Sequence, residues 1–512
     1  MINLIPLPVM LALFGAAITL IIPRRPIAQR VISIGSLSGI VILAAFFMWA
    51  TDTHGTMALW LGAWPVPLGI GLVMDRLSAL MLFVAGVVAL CVLIFSTGQD
   101  KGEVRRETPV SIFHPTFLLL MGGIANAFLA GDLFNLFVGF EIFLFASYVL
   151  LTLGGTKERI RAGTTYVIVS LLSSSLFLIS IASIYAATGT VNMAHIAVRV
   201  AELSEPVQLL LQMMLLVTFA IKAAIFPLSS WLPDSYPTAP APVTAVFAGL
   251  LTKVGIYAII RTQTLLFPDS PLSNMLLVAA LLTMVIGILG ALAQVEIKRM
   301  LSFTLVSHLG YMVLGIALAS ESGFAATIYY TAHHITIQAA LFLVAGLIER
   351  RGGTSSLDGL GGLLKVSPLL ALLFFVPAMN LGGIPPMSGF LGKVGLLHAG
   401  AEYGGWLVWV VMFGGILTSL LTLMAMAKVW NRAFWGTVPD NVVRIEDNYD
   451  GDAGDDDVRF MPPLMVGATS ALIAFSLALT VFAGPLYSYA ERAAESIQSE
   501  NYIQAVLPEE VR

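Results

Sequence analysis

The sequence predicts an all-α polytopic membrane protein, on three observations. The chain of 512 residues is 58% hydrophobic and only 11% charged, where a soluble protein is about 25% charged. Its mean hydropathy is +0.91. Apolar stretches long enough to span a bilayer recur along the whole chain.

The first apolar run covers 3–22. No Lys or Arg precedes it, and Arg24 and Arg25 follow it. A cleaved signal has its basic residues first, so this run reads as the first transmembrane helix. Later runs centre near Val41, Val87, Leu119, Phe143, Leu176, Val217, Leu250, Thr283, Leu309, Ala339, 374–394, Phe413 and Ala474. That makes about 14 transmembrane helices. The seventh runs into the Pro-rich FPLSSWLPDSYPTAPAP, and the twelfth is interrupted at LGGIPPMSG. Both read as broken helices. Irregular backbone at bilayer depth survives only inside protein or beside water, and in transporters it marks an ion site.

The basic residues order these spans. With the N-terminus outside, the inner loops hold Arg24, Arg25, Arg30, Lys101, Arg105, Arg106, Lys157, Arg159, Arg161, Lys298, Arg299, Arg350, Arg351, Lys365, Lys428, Arg432, Arg444 and Arg459. The outer side holds only Arg76, Arg199, Arg261, Arg492 and Arg512. This asymmetry follows the positive-inside rule and places both termini outside. The two broken helices lie an odd number of spans apart, so they run in opposite directions. Helices 4–8 and 9–13 then form two inverted repeats of about five helices each. The expected divisions are 1–110, an N-terminal three-helix segment; 111–262 and 263–435, the two repeats; 436–460, an acidic cytoplasmic loop; and 461–512, the last helix and an external tail. The acidic stretch 446–457 reads as a solvated connector.

Several functions are excluded. No basic stripe suggests nucleic acid. Cys91 is the only cysteine, which rules out an internal disulfide, a cysteine-based zinc site and an iron–sulfur cluster held by this chain alone. Walker A and dinucleotide fingerprints are absent from the sequence. No cofactor and no metal site are expected.

Three lysines fall within spans: Lys222, Lys253 and Lys393. A charge at bilayer depth costs about 2.5–3.5 kcal/mol, so each is a functional candidate. Glu141 lies midway along DLFNLFVGFEIFLFASYVLL with no neutralising neighbour in sequence. A Glu141–Lys222 pair would hold a proton on the lysine when closed and release it when open. A static pair that fixes helix packing is the alternative. Lys253 has no sequence-local partner beyond Thr252 and Tyr257. His333 and His334 sit mid-span in IYYTAHHITIQAALFLVAG. Histidine titrates near pH 6.5 and shuttles protons readily. Adjacent residues face about 100° apart on a helix, so at most one of the two histidines would point along a shared path. His308 and Gln338 are weaker polar candidates. A line Glu141–Lys222–Lys253–His333 or His334–Lys393 would run laterally in the membrane plane, joined by water.

The stretches FEIFLFASYVLL, AIKAAIFPLSSWLPDSYPTAPAPVTAVFAGLLTKVGIYAIIR, LSFTLVSHLGYMVLG and GIPPMSGFLGKVGLL resemble the antiporter-like subunits of complex I and of Mrp-type multisubunit cation/proton antiporters. The segment GAWPVPLGIGLVMDRLSALML and the chain length are most similar to the D-type branch. The resemblance implies inverted repeats with broken helices 7 and 12. It also implies a glutamate–lysine pair at Glu141 and Lys222, a central lysine at Lys253 and a terminal lysine at Lys393. Many relatives carry histidine followed by lysine on helix 11. Here Gln338 stands where that lysine falls, which leaves the link to a histidine. A hetero-oligomer with other membrane subunits is implied, in a bacterial plasma membrane, exchanging external protons for internal sodium. Two other readings stay open: a membrane-arm subunit of a redox enzyme, complex I or a membrane-bound hydrogenase, and a purely structural scaffold.

Overall fold

The computed structural model describes residues 1–99, 109–268, 270–438 and 461–509 of the chain. The acidic stretch 446–457 and the basic residues Lys101, Arg105, Arg106, Arg444, Arg459 and Arg512 lie outside the described residues. The spans expected from hydropathy are helices: α1 Leu7–Ile21, α2 Pro26–His54, α3 Arg76–Thr97, α4 Val110–Leu129, α5 Leu133–Thr152, α6 Lys157–Thr188, α7 Glu205–Ala223, α8 Ala241–Leu265, α9 Ser273–Ala293, α10 Ile297–Ala317 and α11 Glu321–Gly352. The twelfth span is split into α12 Pro368–Gly382 and α13 Ser388–Tyr403. Helices α14 Trp406–Phe434 and α15 Pro463–Val481 follow. Thirteen helices among the described residues are long and apolar enough to cross a membrane, and the split span stands beside them.

Burial separates a centre from a rim. The apolar windows of α8, α10 and α11 are 100%, 94% and 94% buried, whereas those of α1 and α2 are 33% and 28% buried. A helix that is apolar all round belongs either inside a bundle or against lipid. Here both kinds occur, and the polar candidates concentrate on the central ones.

Local chemistry starts and stops the helices. Asp75 caps α3 by accepting from Ser78 N at 2.8 Å, and Asp132 caps α5 by accepting from Asn135 N at 2.6 Å. Helix α7 stops where Ala224 adopts φ 56, and α12 stops where Gly383 adopts φ 80. The seventh break is closed by protein, because Trp231 Nε1 donates to the Ile221 carbonyl at 3.1 Å and Phe226 N donates to Thr283 Oγ1 at 3.1 Å.

One end of the bundle carries structure that the hydropathy pattern does not show. Strands β1 Met57–Trp60 and β2 Gly71–Met74 form an antiparallel hairpin with Met57 opposite Met74. Isolated bridges join Leu72 to Ala130 and Asp132 to Asn192. The tail is helical, as α16 Ala483–Ser496 and α17 Ser499–Val506. Helix α16 packs on α3 and α11, while α17 and the N-terminal turn Ile2–Leu4 both touch β1. The two ends of the chain therefore meet at the same end of the bundle.

A fully buried ion pair ties this end together. Arg261 Nη1, at the end of α8, donates to Asp75 Oδ2 at 2.6 Å, and both side chains are at most 1% exposed. Burial alone would raise the Asp75 carboxyl, but the Arg261 guanidinium and Ser78 hold it below its ordinary value. A depressed carboxyl contributes stability above its unfolded pKa and loses it as pH falls through the folded one. Asp75→Ala would strand the guanidinium and destabilise the folded chain by about 3–5 kcal/mol. Thermal unfolding of the purified protein at neutral pH should show a lowered midpoint. The difference from the parent should shrink only as pH drops below 3.8.

Candidate functional site

Ser174, on α6, joins the first two candidates. Its hydroxyl donates to Glu141 Oε1 on α5, and it accepts from Lys222 Nζ on α7 at 3.2 Å. The serine stands between the two charges. The Lys222 ammonium also lies 4.7 Å from the Phe140 ring centre, a cation–π contact. Lys222 occupies the last turn of α7, where the helix dipole favours a cation. Beside it is a cavity of about 20 Å³, lined by Ser170, Ser173, Tyr166, Tyr236 and Trp231 among others. That is room for one water.

Lys253 is fully buried. The sequence offers it only Thr252 and Tyr257 nearby, yet its Nζ donates to the Ala248 carbonyl at 2.5 Å. That carbonyl belongs to a π-helical turn, Phe247–Leu251, just before the lysine. Such single turns inside α-helices shift the backbone hydrogen-bond pattern and recur at functional sites. Thr252 Oγ1, its neighbour in the chain, has no partner among the described residues.

Lys393, on α13, reaches back across the twelfth break. Its Nζ donates to the carbonyls of Leu381 at 3.1 Å and Gly382 at 3.3 Å, and to Ser419 Oγ at 2.9 Å. It therefore caps the C-terminal carbonyls of α12. Tyr311 presents its ring 5.1 Å away.

Three histidines lie between these lysines. His308 on α10 stacks on His334 of α11, with ring centres 5.1 Å apart at 27°. His308 Nδ1 meets the Tyr330 hydroxyl at 2.7 Å, and Thr422 Oγ1 lies 3.4 Å from its Nε2. His333 turns the other way, with Nδ1 2.9 Å from Ser388 Oγ at the start of α13. The neighbouring histidines thus face different helices, as the helical period requires. Gln338 Nε2 donates to the Leu301 carbonyl at 2.8 Å, which ties α11 to α10. Both ring nitrogens of His334, Nε2 of His333 and Oε1 of Gln338 are buried without partners among the described residues.

The structure therefore gathers the expected candidates into two groups. Glu141, Ser174 and Lys222 form one. His308, His333, His334 and Lys393 form the other, with Lys253 buried on α8. Sequence reading missed Ser174, Tyr330, Ser388, Ser419 and Thr422. Ser170, with Ser173 and Ser174 three and four residues after it on a spanning helix, was the one available signal, since such serines hydrogen-bond between helices. Hydroxyls, imidazoles and amines within hydrogen-bond reach, with buried atoms that need water, can pass protons.

Residues 130–421 match the family model described as NADH:quinone oxidoreductase/Mrp antiporter, transmembrane. Residues 60–98 match that of the N-terminus of chain 5 of NADH-ubiquinone oxidoreductase, complex I. The D-type subunit of the Na(+)/H(+) antiporter from Alkalihalophilus pseudofirmus is 38% identical over 511 residues, covering 99% of this chain and 100% of the relative. The corresponding D-type chain from Bacillus subtilis is 34% identical over 511 residues, covering 99% and 100%. Among solved structures, a chain of the Mrp complex from Dietzia sp. is similar with TM-score 0.88 and 31% identity over 99% of both chains. A chain of the membrane-bound sulfane sulfur reductase, an archaeal respiratory membrane complex, is similar with TM-score 0.85 and 25% identity over 99% of both.

Buried polar atoms without protein partners are normally met by water. A high-resolution density map should show ordered water within about 3 Å of the His334 ring nitrogens. A dry, featureless pocket there would contradict this reading.

Proposed function

Because the chain belongs to the D-type family of Mrp Na+/H+ antiporter subunits, within the antiporter-like family of complex I, we propose that it carries protons along Glu141, Lys222, Lys253, His333 or His334, and Lys393. The assembled complex, in a bacterial plasma membrane with other membrane subunits as partners, exchanges these protons for sodium. Both termini face outside, and 111–262 and 263–435 act as inverted half-units, each with a lysine against its helix break.

One observation carries this reading. Lys253 and Lys393 are held by neutral carbonyls and a hydroxyl, and no carboxylate pairs with them among the described residues. An amine so held gives up its proton without breaking an ion pair. Lys222 differs, since Ser174 links it to Glu141. Moving that serine couples or uncouples the charges, which suits the first group to gating the line. Thr252, His308 and Gln338 support the central stretch by orienting water and α11.

The likeness to a respiratory complex leaves a second reading, the same line driven by redox chemistry in partner subunits. The higher identity to Na(+)/H(+) antiporter subunits favours sodium exchange. Co-purification with iron–sulfur subunits would reverse that preference.

Glu141→Ala, Lys222→Ala, Lys253→Ala and Lys393→Ala should each lower sodium-dependent proton movement in vesicles roughly a hundredfold or more, with the complex still assembled on native gels. Lys253→Arg should fail equally, because a guanidinium keeps its proton. Full exchange by Lys253→Ala would overturn the proposal. Ser174→Ala should slow exchange roughly tenfold, the worth of one hydrogen bond to a charged group, and leave assembly unchanged.

A further inference from the structure

At the end of the bundle that carries the hairpin, one carboxyl group is half-satisfied. Asp132 Oδ1 caps α5, but Oδ2 is buried without a partner among the described residues. The side chain is 4% exposed. Asn192 stands directly opposite. Leu133 N donates to the Val191 carbonyl at 2.9 Å and Met193 N donates to the Gly131 carbonyl at 3.0 Å. That pattern makes 132 and 192 a non-hydrogen-bonded antiparallel pair, whose side chains lie close, with α-carbons about 4.5 Å apart. Asn192 Nδ2, Asn135 Nδ2 and the Tyr502 hydroxyl are also buried without partners among the described residues.

These orphaned groups share a chemistry. Around an unpaired carboxylate oxygen stand N–H and O–H donors. A bare metal cation needs oxygen ligands, so this set suits water and a proton instead. Burial pushes the Asp132 carboxyl up to about 6, against the backbone N–H groups that lower it. The titratable and charged groups of the elements around it are Asp75, Tyr257, Arg261, His195, Arg199, Glu500 and Tyr502. Asp75 is committed to Arg261, and a guanidinium does not release its proton.

A route inward is built from Tyr257. Its hydroxyl donates to the Phe128 carbonyl at 2.8 Å, four residues before Asp132 in the chain. It also lies 3.1 Å from Ser78 Oγ and accepts from Arg261 Nη2 at 3.0 Å. Lys253 is one turn back on the same face of α8, with its Nζ turned away onto the Ala248 carbonyl, so the link needs water between the two and the Tyr257 O–H swung off the Phe128 carbonyl. Tyr502, from α17, covers the Arg261 guanidinium at 5.1 Å and roofs the group.

We infer that Asp132 is the proton port at this end of the chain, linking the aqueous side to Lys253 through water held by Asn135, Asn192 and Tyr502 and through the Tyr257 hydroxyl. The step balances: the carboxylic acid returns to carboxylate, the Lys253 amine becomes ammonium, and each water and hydroxyl between them takes up one proton as it gives up another. This inference rests on the proton line proposed above.

The test uses the assembled complex in vesicles of known orientation, with pH varied only on the side facing the hairpin. Asp132→Asn keeps the helix cap. It should lower sodium-dependent proton movement at least roughly tenfold and abolish the dependence on pH of that side, with its inflection near 6. Asp132→Glu should restore part of both. Lys253→Arg is run in parallel. If Lys253→Arg is inactive while Asp132→Asn keeps the wild-type rate and pH profile, the port is overturned. If Lys253→Arg is active, the proton line itself fails. Should Asp132→Asn not assemble, Tyr502→Phe decides. Its hydroxyl makes no hydrogen bond within the described residues, so its removal spares the fold. It should slow exchange several-fold, and an unchanged rate would overturn the port.

Discussion

A buried amine must have acceptors, and this chain supplies them mostly from its own backbone. Lys393 takes the last carbonyls of α12, freed because that helix stops at Gly383. Lys253 takes the Ala248 carbonyl, which lies in the π-helical turn beneath it. Lys222 sits in the last turn of α7, where the dipole is negative, and adds a hydroxyl and an aromatic face. Each of these irregularities is thus matched to one lysine. In a low-dielectric interior an ammonium without partners would be far too costly, and one locked to a carboxylate would be slow to release its proton. Backbone carbonyls stand between these extremes.

That constraint explains the arrangement of the bundle. Broken backbone needs protein around it, so the breaks face inward and their loose groups bond to Trp231, Thr283 and Ser419. The most buried helices, α8, α10 and α11, carry Lys253 and the three histidines. The hairpin, the bridged segments around Asp132 and Asn192, and the tail helices α16 and α17 close one end. The Asp75–Arg261 pair lies between that closure and α8, so the central helix is anchored about two turns beyond its lysine.

Much of this was legible in residues. Leu381-Gly382-Gly383-Ile384-Pro385-Pro386 cannot continue a helix, and the break is there. Phe226-Pro227 and the prolines after it ended α7 in the same way. What escaped reading were partners far apart in sequence. Ser174 reaches Glu141 from another helix, and Ser388 meets His333 across 55 positions. The hairpin escaped because its strands are short and lie in a connection between spans, where hydropathy says little. The helical tail escaped because mixed charge in a surface helix looks the same as a loop.

The sequence by itself determined the approximate number of spans, their breaks and which ionisable side chains fall within apolar segments, because the cost of polar groups in hydrocarbon is a local property of each segment. Only the tertiary structure decided what each of those side chains touches. Hydrogen bonds between helices depend on rotation and depth to within an ångström or two, and a hydropathy pattern with a period of one turn does not carry that precision. Hence Lys253 rests on a carbonyl of its own helix, and Glu141 meets Lys222 through Ser174.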